Sequence, residues 1–268
     1  MNRDIVAVVT GGNKGIGLEI AKKLSSIERI KTIIACRNEK NGLEAVKILG
    51  NEAEYEHLDI DDDNSIQSFT NRMISKYNCI DILVNNAAIA FKQSDPTPFH
   101  LQASPTIKTN YFGTLKLTES LLPLIKMSQL KTICNVASEA GHLRIIKSPE
   151  LRQKIQQPNL SVFELNSMMM LFIEDVEKKQ HEKAGWPNTC YGMSKCGLIA
   201  LTKILARDNR DVKINACCPG YCATDMSSHR GTKTAEQGSE TPVFLSTLAL
   251  RNEKISSKFY SGLREIEW

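Results

Sequence analysis

A chain of 268 residues with 41% hydrophobic and 24% charged content suits a single α/β sheet with helices on both faces. Its net charge of +4, with acids and bases interspersed, leaves no footprint for nucleic acid or an anionic membrane surface. No apolar run approaches the roughly 18 residues of a membrane span, and neither the cysteines nor the histidines show a metal-ligand spacing, so no metal is expected.

Asp4 interrupts the first residues and 5–9 reads at once as a strand, so no secretory leader is expected. Arg264-Glu265-Ile266-Glu267-Trp268 matches no peroxisomal or retention signal. The expectation is a cytoplasmic protein whose eight cysteines are free thiols.

The first unit reads strand, glycine turn, helix. Residues 5–9 form a continuous apolar run, as in a strand buried on both faces of a parallel sheet. Thr10-Gly11-Gly12-Asn13-Lys14-Gly15-Ile16-Gly17 follows, then a helix with Ile16, Ile20, Leu24 and Ile27 on one stripe. Glycines permit a tight turn and close approach to a pyrophosphate, whose charge the helix N-terminus meets. Gly11, Ile16 and Gly17 are therefore candidate cofactor residues, although the spacing G-x-x-x-G-x-G departs from the commoner G-x-G-x-x-G.

A second strand over 32–36 ends at Arg37. An acid near this point binds the ribose hydroxyls of NAD, whereas a base accommodates the 2′-phosphate of NADP. Lys14, in the glycine turn, is placed to reach the same phosphate, and the two charges favour NADP.

Further strand–helix units follow. A third strand over 54–58 is closed by Asp59-Ile60 and by Asp61, Asp62 and Asp63, which cap a helix over 64–77. Asp59 is open to two readings, an acceptor for an adenine amine or a cap alone. A fourth strand over 80–84 runs into Asn85-Asn86-Ala87-Ala88, where small residues admit a cofactor and paired asparagines can tie neighbouring strands. A long helix over about 100–126 carries Asn110 in its interior, where an amide side chain competes with the helix backbone. A fifth strand over 132–136 ends at Ala137-Ser138. This alternation predicts a doubly wound parallel sheet with ligands at the C-terminal strand ends.

Residues 139–190 carry apolar positions at helical spacing and are expected to add one or two helices, leading through Trp186-Pro187 into Tyr191-Gly192-Met193-Ser194-Lys195. Tyr and Lys four apart share one helix face. An ammonium beside a phenol favours the phenolate, so Lys195 is expected to draw Tyr191 down from the reference of about 10 toward neutrality, where it can exchange a proton with a substrate oxygen. The alternative is a surface tyrosine packed on a lysine stem. Beyond a sixth strand, the polar stretch 221–240, with Gly231 and Gly238, is expected to be a mobile lid. Tyr221, Met226, Ala90 and Phe91 are candidates for an apolar substrate lining, and a final strand is expected within 255–260.

In order and spacing these motifs resemble the short-chain dehydrogenases/reductases over nearly the whole chain: Thr10 to Gly17, Asp59, Asn85-Asn86-Ala87, Asn110, Ser138, Tyr191 to Lys195, and Pro219-Gly220. Gly12-Asn13-Lys14-Gly15-Ile16-Gly17, Asp95-Pro96-Thr97-Pro98-Phe99-His100, Gly185-Trp186-Pro187 and Asn215-Ala216-Cys217-Cys218-Pro219-Gly220 look like the monomeric NADPH-dependent carbonyl reductase branch.

The resemblance implies a single Rossmann-type α/β domain over 1–268, a helical insertion at 139–190, and NADPH-dependent reduction of ketones, aldehydes or quinones. It implies Tyr191 as proton donor, Lys195 on the nicotinamide ribose, Ser138 on the substrate carbonyl, and Asn110 positioning a water that resupplies protons. Asn13, Lys14 and Arg37 would hold the adenosine phosphate, Asp59 and Ile60 the adenine, Asn86 the ribose side, and Pro219, Gly220 and Thr224 the nicotinamide. Two departures stand out: Ala88 where glycine is usual, and the acid Glu139 directly after Ser138. Two rival readings are an NAD-dependent alcohol or steroid dehydrogenase, against which Lys14 and Arg37 argue, and a non-catalytic dinucleotide-sensing scaffold, against which the intact catalytic set argues. A small-molecule carbonyl partner and a monomer are expected.

Overall fold

The structure is a computed structural model describing residues 4–50, 52–92 and 94–268. Seven parallel strands and one antiparallel edge strand form a single sheet in the order β3-β2-β1-β4-β5-β6-β7-β8. The strands are β1 Ile5–Thr10, β2 Ile30–Cys36, β3 Ala53–His57, β4 Ile82–Asn85, β5 Thr132–Val136, β6 Lys213–Cys218, β7 Phe259–Ser261 and β8 Arg264–Glu265. Chain order reverses between β1 and β4, and that reversal opens a crevice at the C-terminal strand ends.

The helices are α1 Gly15–Ser25, α2 Glu39–Leu49, α3 Asp63–Lys76, α4 Phe99–Ile107, α5 Thr114–Lys126, α6 Pro149–Ile155, α7 Val162–Glu177, α8 Cys190–Asp208 and α9 Ala235–Ser246. Because both sheet faces are covered, β1 is apolar from Ile5 to Val9 and its residues divide by parity. Val6 and Val8 join the core that also holds Phe69, Tyr111, Leu121 and Phe172, while Ala7 and Val9 join the core of Ile20, Leu24 and Leu245.

Side-chain oxygens fix where helices begin. Asn38 caps α2, Asp62 caps α3, and Thr189 accepts from the Gly192 amide at 3.0 Å to start α8. Ser161 and Glu164 form a reciprocal capping box on α7. The predicted long helix over 100–126 is interrupted: a π-helical segment, Lys108–Gly113, joins α4 to α5 and contains Asn110.

The insertion folds as expected into helices. Leu165, Met168, Met169, Phe172 and Val176 of α7 are buried, and burial of each such side chain contributes about 1.5–3 kcal/mol. Met169 lies against Gly197 of α8, where a Cβ would come within 2.8 Å of its sulfur. Asn166 accepts from the Tyr111 hydroxyl at 2.8 Å. Trp186 is fully buried and donates its indole N–H to Asp175 at 2.8 Å, which anchors the chain entering α8.

Two details differ from the sequence reading. The stretch 221–240, expected to be a lid, is irregular only as far as residue 234, because Thr234 and Gln237 form a capping box that starts α9. Gly231 and Gly238 are packing positions: added Cβ atoms would meet the Cys222 carbonyl carbon at 1.9 Å and the Cys222 sulfur at 2.3 Å. The final strand lies at Phe259–Ser261, and β8 turns back beside it. Among the described residues, no helix is long and apolar enough to cross a membrane, and no group of three His, Cys, Asp or Glu side chains is placed to hold a metal ion.

Candidate active site

A cleft of about 810 Å³ opens at the β1/β4 reversal. The glycine turn, Arg37, Asp59 and Ile60 form one wall; Asn86, Ala87, Ala88, Ile89 and Ala90 form another; Thr224, Asp225, Met226 and His229 close the mouth. The turn depends on its glycines at two points. Gly11 has φ +62°, and a Cβ on Gly17 would sit 2.2 Å from the Gly11 carbonyl oxygen.

Asn86 ties this turn to β4. Its amide donates to the Thr10 carbonyl at 2.9 Å, and the backbone amides of Asn86 and Ala87 both donate to the Thr10 hydroxyl at 2.9 Å. Asn85, the other member of the pair, lies opposite Asn135 in the sheet and donates to it at 2.8 Å. The tie between neighbouring strands is therefore real for Asn85, while Asn86 both braces the turn and lines the cleft.

The cleft suits an anionic dinucleotide on three counts. No side chain caps α1 and its first turn carries no acid, which leaves the N-terminal amides and the positive helix end facing the cleft. Lys14 and Arg37 both line the cleft with exposed side chains. Arg37 directly follows β2, with no acid between it and the strand end. Each cation has a carboxylate partner: Lys14 meets Asp225 at 2.9 Å, and Arg37 meets Asp59 at 3.9 Å. Asp225 also faces His229 at 3.2 Å, and the bond from Lys14 holds the Asp225 carboxyl below the usual range. Asp59 Oδ1 accepts from the Asp61 amide at 3.0 Å, so it closes a local turn and lines the cleft, while the cap of α3 is Asp62.

Ser138, Tyr191 and Lys195 come together outside the lining of this cleft. Ser138 leaves β5 and caps the 3-10 turn Glu139–Gly141, its Oγ accepting from the Ala140 amide at 3.1 Å. Tyr191 lies in the first turn of α8 and Lys195 one turn on, its Nζ 5.6 Å from the phenol ring centre. Lys195 is only 2% exposed and donates to the Val136 carbonyl at 2.7 Å.

The expected lowering of the tyrosine is not a property of this pair by itself. Burial pushes Tyr191 up to about 12, the neighbouring Cys218 adds to the rise, and the Ser138 hydroxyl acts against it. Burial pulls Lys195 down to about 8, with Cys217 and Cys218 opposing. Desolvation of both groups outweighs their mutual attraction because the ammonium is turned to Val136 instead of the phenol oxygen.

Asn110 is held by three hydrogen bonds. Its Oδ1 accepts from the Ile89 amide at 2.8 Å, and its Nδ2 donates to the Ile89 carbonyl at 2.9 Å and to Ser194 at 3.0 Å. Both amide hydrogens are committed, so the side chain braces the β4 loop against α8.

Of the substrate candidates, Ala90 and Met226 line the cleft, while Tyr221 is exposed and, like Phe91, lies outside its lining. Pro219 and Gly220 follow β6, with Gly220 at φ +84° beneath the side chain of Lys233. Glu139 is turned from the mouth, accepting from Ser261 at 2.6 Å. Cys218 and Cys222, which flank Pro219-Gly220, are buried, and desolvation raises the Cys222 thiol. Sequence reasoning missed Asp225 and His229, which carry no motif: the path of the loop brings Asp225 to Lys14 and His229 to Asp225.

A nucleotide cleft beside a serine, a tyrosine and a lysine at the ends of β5 and α8 defines an oxidoreductase that works with a nicotinamide dinucleotide. The chain belongs to the short chain dehydrogenase family, whose model matches residues 5–149; a second model, described as enoyl-(acyl carrier protein) reductase, matches residues 178–253. It is 42% identical to carbonyl reductase (NADPH) 1 of Rattus norvegicus over 98% of each chain. Among solved structures it resembles salutaridine reductase from Papaver somniferum, with a TM-score of 0.88 and 28% identity over 96% of this chain and 99% of that one. Menthone neomenthol reductase from Mentha piperita is similar at a TM-score of 0.81 and 28% identity, over 96% and 98%.

Proposed function

We propose that this protein uses NADPH to reduce the carbonyl group of small ketones, aldehydes or quinones to an alcohol, as a monomer in the cytoplasm. The observation that carries the reading is a cleft lined by two cations, Lys14 and Arg37, together with the grouping of Ser138, Tyr191 and Lys195 where β5 ends and α8 begins. Identity of 42% to an NADPH carbonyl reductase over nearly the whole chain supports the same reaction class.

When bound, NADPH supplies the hydride that reduces the carbonyl carbon. Tyr191, held protonated by burial, gives its phenolic proton to the carbonyl oxygen. Ser138 has one acceptor site taken by the Ala140 amide, which leaves its own hydrogen to point at the carbonyl oxygen as charge develops there. Lys195 places a charge behind the phenol and holds ribose hydroxyls, and Asn110 keeps the Ile89 backbone fixed at the cleft wall. The first turn of α1 takes the diphosphate, Asn13, Lys14 and Arg37 the adenosine phosphate, Asp59 and Ile60 the adenine, and Asn86 the ribose side. Pro219, Gly220 and Thr224 flank the nicotinamide, with Ala90, Phe91, Tyr221 and Met226 toward the substrate.

The test is a panel of ketones, aldehydes, quinones and secondary alcohols assayed with NADPH, NADH and their oxidised forms. Carbonyl reduction with a strong preference for NADPH is expected. Turnover mainly of alcohols with NAD would overturn the reading in favour of a dehydrogenase, and dinucleotide binding without any turnover in favour of a scaffold.

A further inference from the structure

The 3-10 turn Glu139–Gly141 directly follows Ser138, and its Ala140 amide is the group that orients the Ser138 hydroxyl. The two outer residues of that turn are gripped from the opposite end of the sequence. Ser261, at the end of β7, donates its hydroxyl to Glu139 Oε1 at 2.6 Å. The indole N–H of Trp268 donates to the Gly141 carbonyl at 3.0 Å.

The inner side of the turn rests directly on the catalytic helix. A Cβ on Gly141 would lie 2.6 Å from the backbone of Lys195 and Cys196, and one on Gly192 would lie 2.8 Å from the Ala140 carbonyl oxygen. Backbone therefore meets backbone at the turn of α8 that carries Lys195. Trp268 is seated on the same helix, with Lys203 Nζ 5.5 Å from its ring and the Cys196 thiol beside its indole. Neither Ser261 nor Trp268 lines the nucleotide cleft.

We infer that Trp268 and Ser261 are positioning residues for Ser138: by clamping the 139–141 turn onto α8, they fix the direction in which the serine hydroxyl donates. A serine hydroxyl has one hydrogen and two acceptor sites, and a short turn offers it competing backbone partners. With the turn closed (Gly141 amide to Ser138 carbonyl, 2.9 Å), the Ala140 amide occupies one acceptor site and the hydrogen is left for the side that Tyr191 and a substrate share. Releasing the Gly141 carbonyl lets the peptide after it rotate, and Ser138 loses its fixed partner.

The inference rests on the reading of Ser138 as the carbonyl donor. Its test therefore pairs kinetics with a measurement that needs no turnover. Trp268→Phe keeps an aromatic ring for Lys203 to stack on and removes the N–H donor, together with the smaller ring of the indole. It is expected to lower kcat about fivefold, the scale of one neutral hydrogen bond, with the NADPH dissociation constant unchanged. In the same variant, amide hydrogen exchange is expected to quicken in a peptide spanning 138–146 and nowhere in β1 to β4. Ser261→Ala should act in the same direction at Glu139. Wild-type exchange in the 138–146 peptide of Trp268→Phe would overturn the inference, as would exchange quickened throughout α8 with a matching loss of NADPH affinity. If the wild-type protein itself reduced no carbonyl compound, the functional reading would fall, and the exchange measurement would still decide whether Trp268 clamps the turn.

Discussion

Lys195 gives a hydrogen bond to the Val136 carbonyl at 2.7 Å, so the buried ammonium is tied to the end of β5 and not to the phenol it accompanies. The main force on its proton is burial, which pulls it down to about 8. Below that pH the ammonium is present; as pH rises through about 8 it is lost, while Tyr191, pushed up to about 12, keeps its proton. For the free enzyme, kcat/KM for carbonyl reduction should be level near neutrality and fall above about pH 8, because that ratio reports the ionisations of free protein. Lys195→Arg, charged throughout, should move the limb upward in whatever activity it retains. A profile level to pH 10 would show that Lys195 does not govern it.

Tyr191→Phe removes the proton donor and leaves the ring that fills the first turn of α8. Turnover should fall by about 10²–10⁴-fold, the range for general acid catalysis, with NADPH binding by fluorescence titration nearly unchanged. Wild-type turnover in the folded variant would exclude Tyr191 as the donor.

Arg37→Asp reverses the charge at the adenosine end and places a second acid beside Asp59, its present partner at 3.9 Å. NADPH affinity should fall far more than NADH affinity, since a charge-assisted phosphate contact is lost and repulsion added. Equal losses for both cofactors would assign Arg37 a structural role.

Patterns of period and punctuation made most of this architecture legible. Continuous apolar strands announced a sheet covered on both faces, and the glycine turn, Arg37 and the Tyr–Lys spacing each mark a place where local backbone or charge must be of one kind. What stayed hidden depended on contacts distant in sequence. Asp225 reaches Lys14 across more than two hundred residues, and only the path of the loop brings them together. Asn110 was recognisable as out of place in a helix, yet its task, pairing with the Ile89 backbone, required the π-helical segment that no propensity announces. The tyrosine pKa was misjudged because spacing reports proximity and not desolvation. The packing of Gly231 and Gly238 against Cys222 is not legible either, because sequence cannot distinguish a glycine that bends from one that lets a neighbour approach.

The packing of α7 against α4 and α8 bears on assembly. Met169 at Gly197 and Asn166 on the Tyr111 hydroxyl cover these helices from within the chain. Sedimentation equilibrium at micromolar concentration should give the mass of one chain. A stable species of two or four times that mass would refute the monomer.

The small strand β8 has a consequence for solubility. A parallel sheet ending at β7 would present Phe259 and Tyr260 beside a row of unpaired amides and carbonyls, the kind of edge on which another chain can add a strand. Arg264–Glu265 pairs antiparallel with that edge, is only two residues long, and exposes both charged side chains. The growing side of the sheet thus ends in a segment too short and too charged to template a further strand, a built-in guard against edge-to-edge aggregation at high concentration.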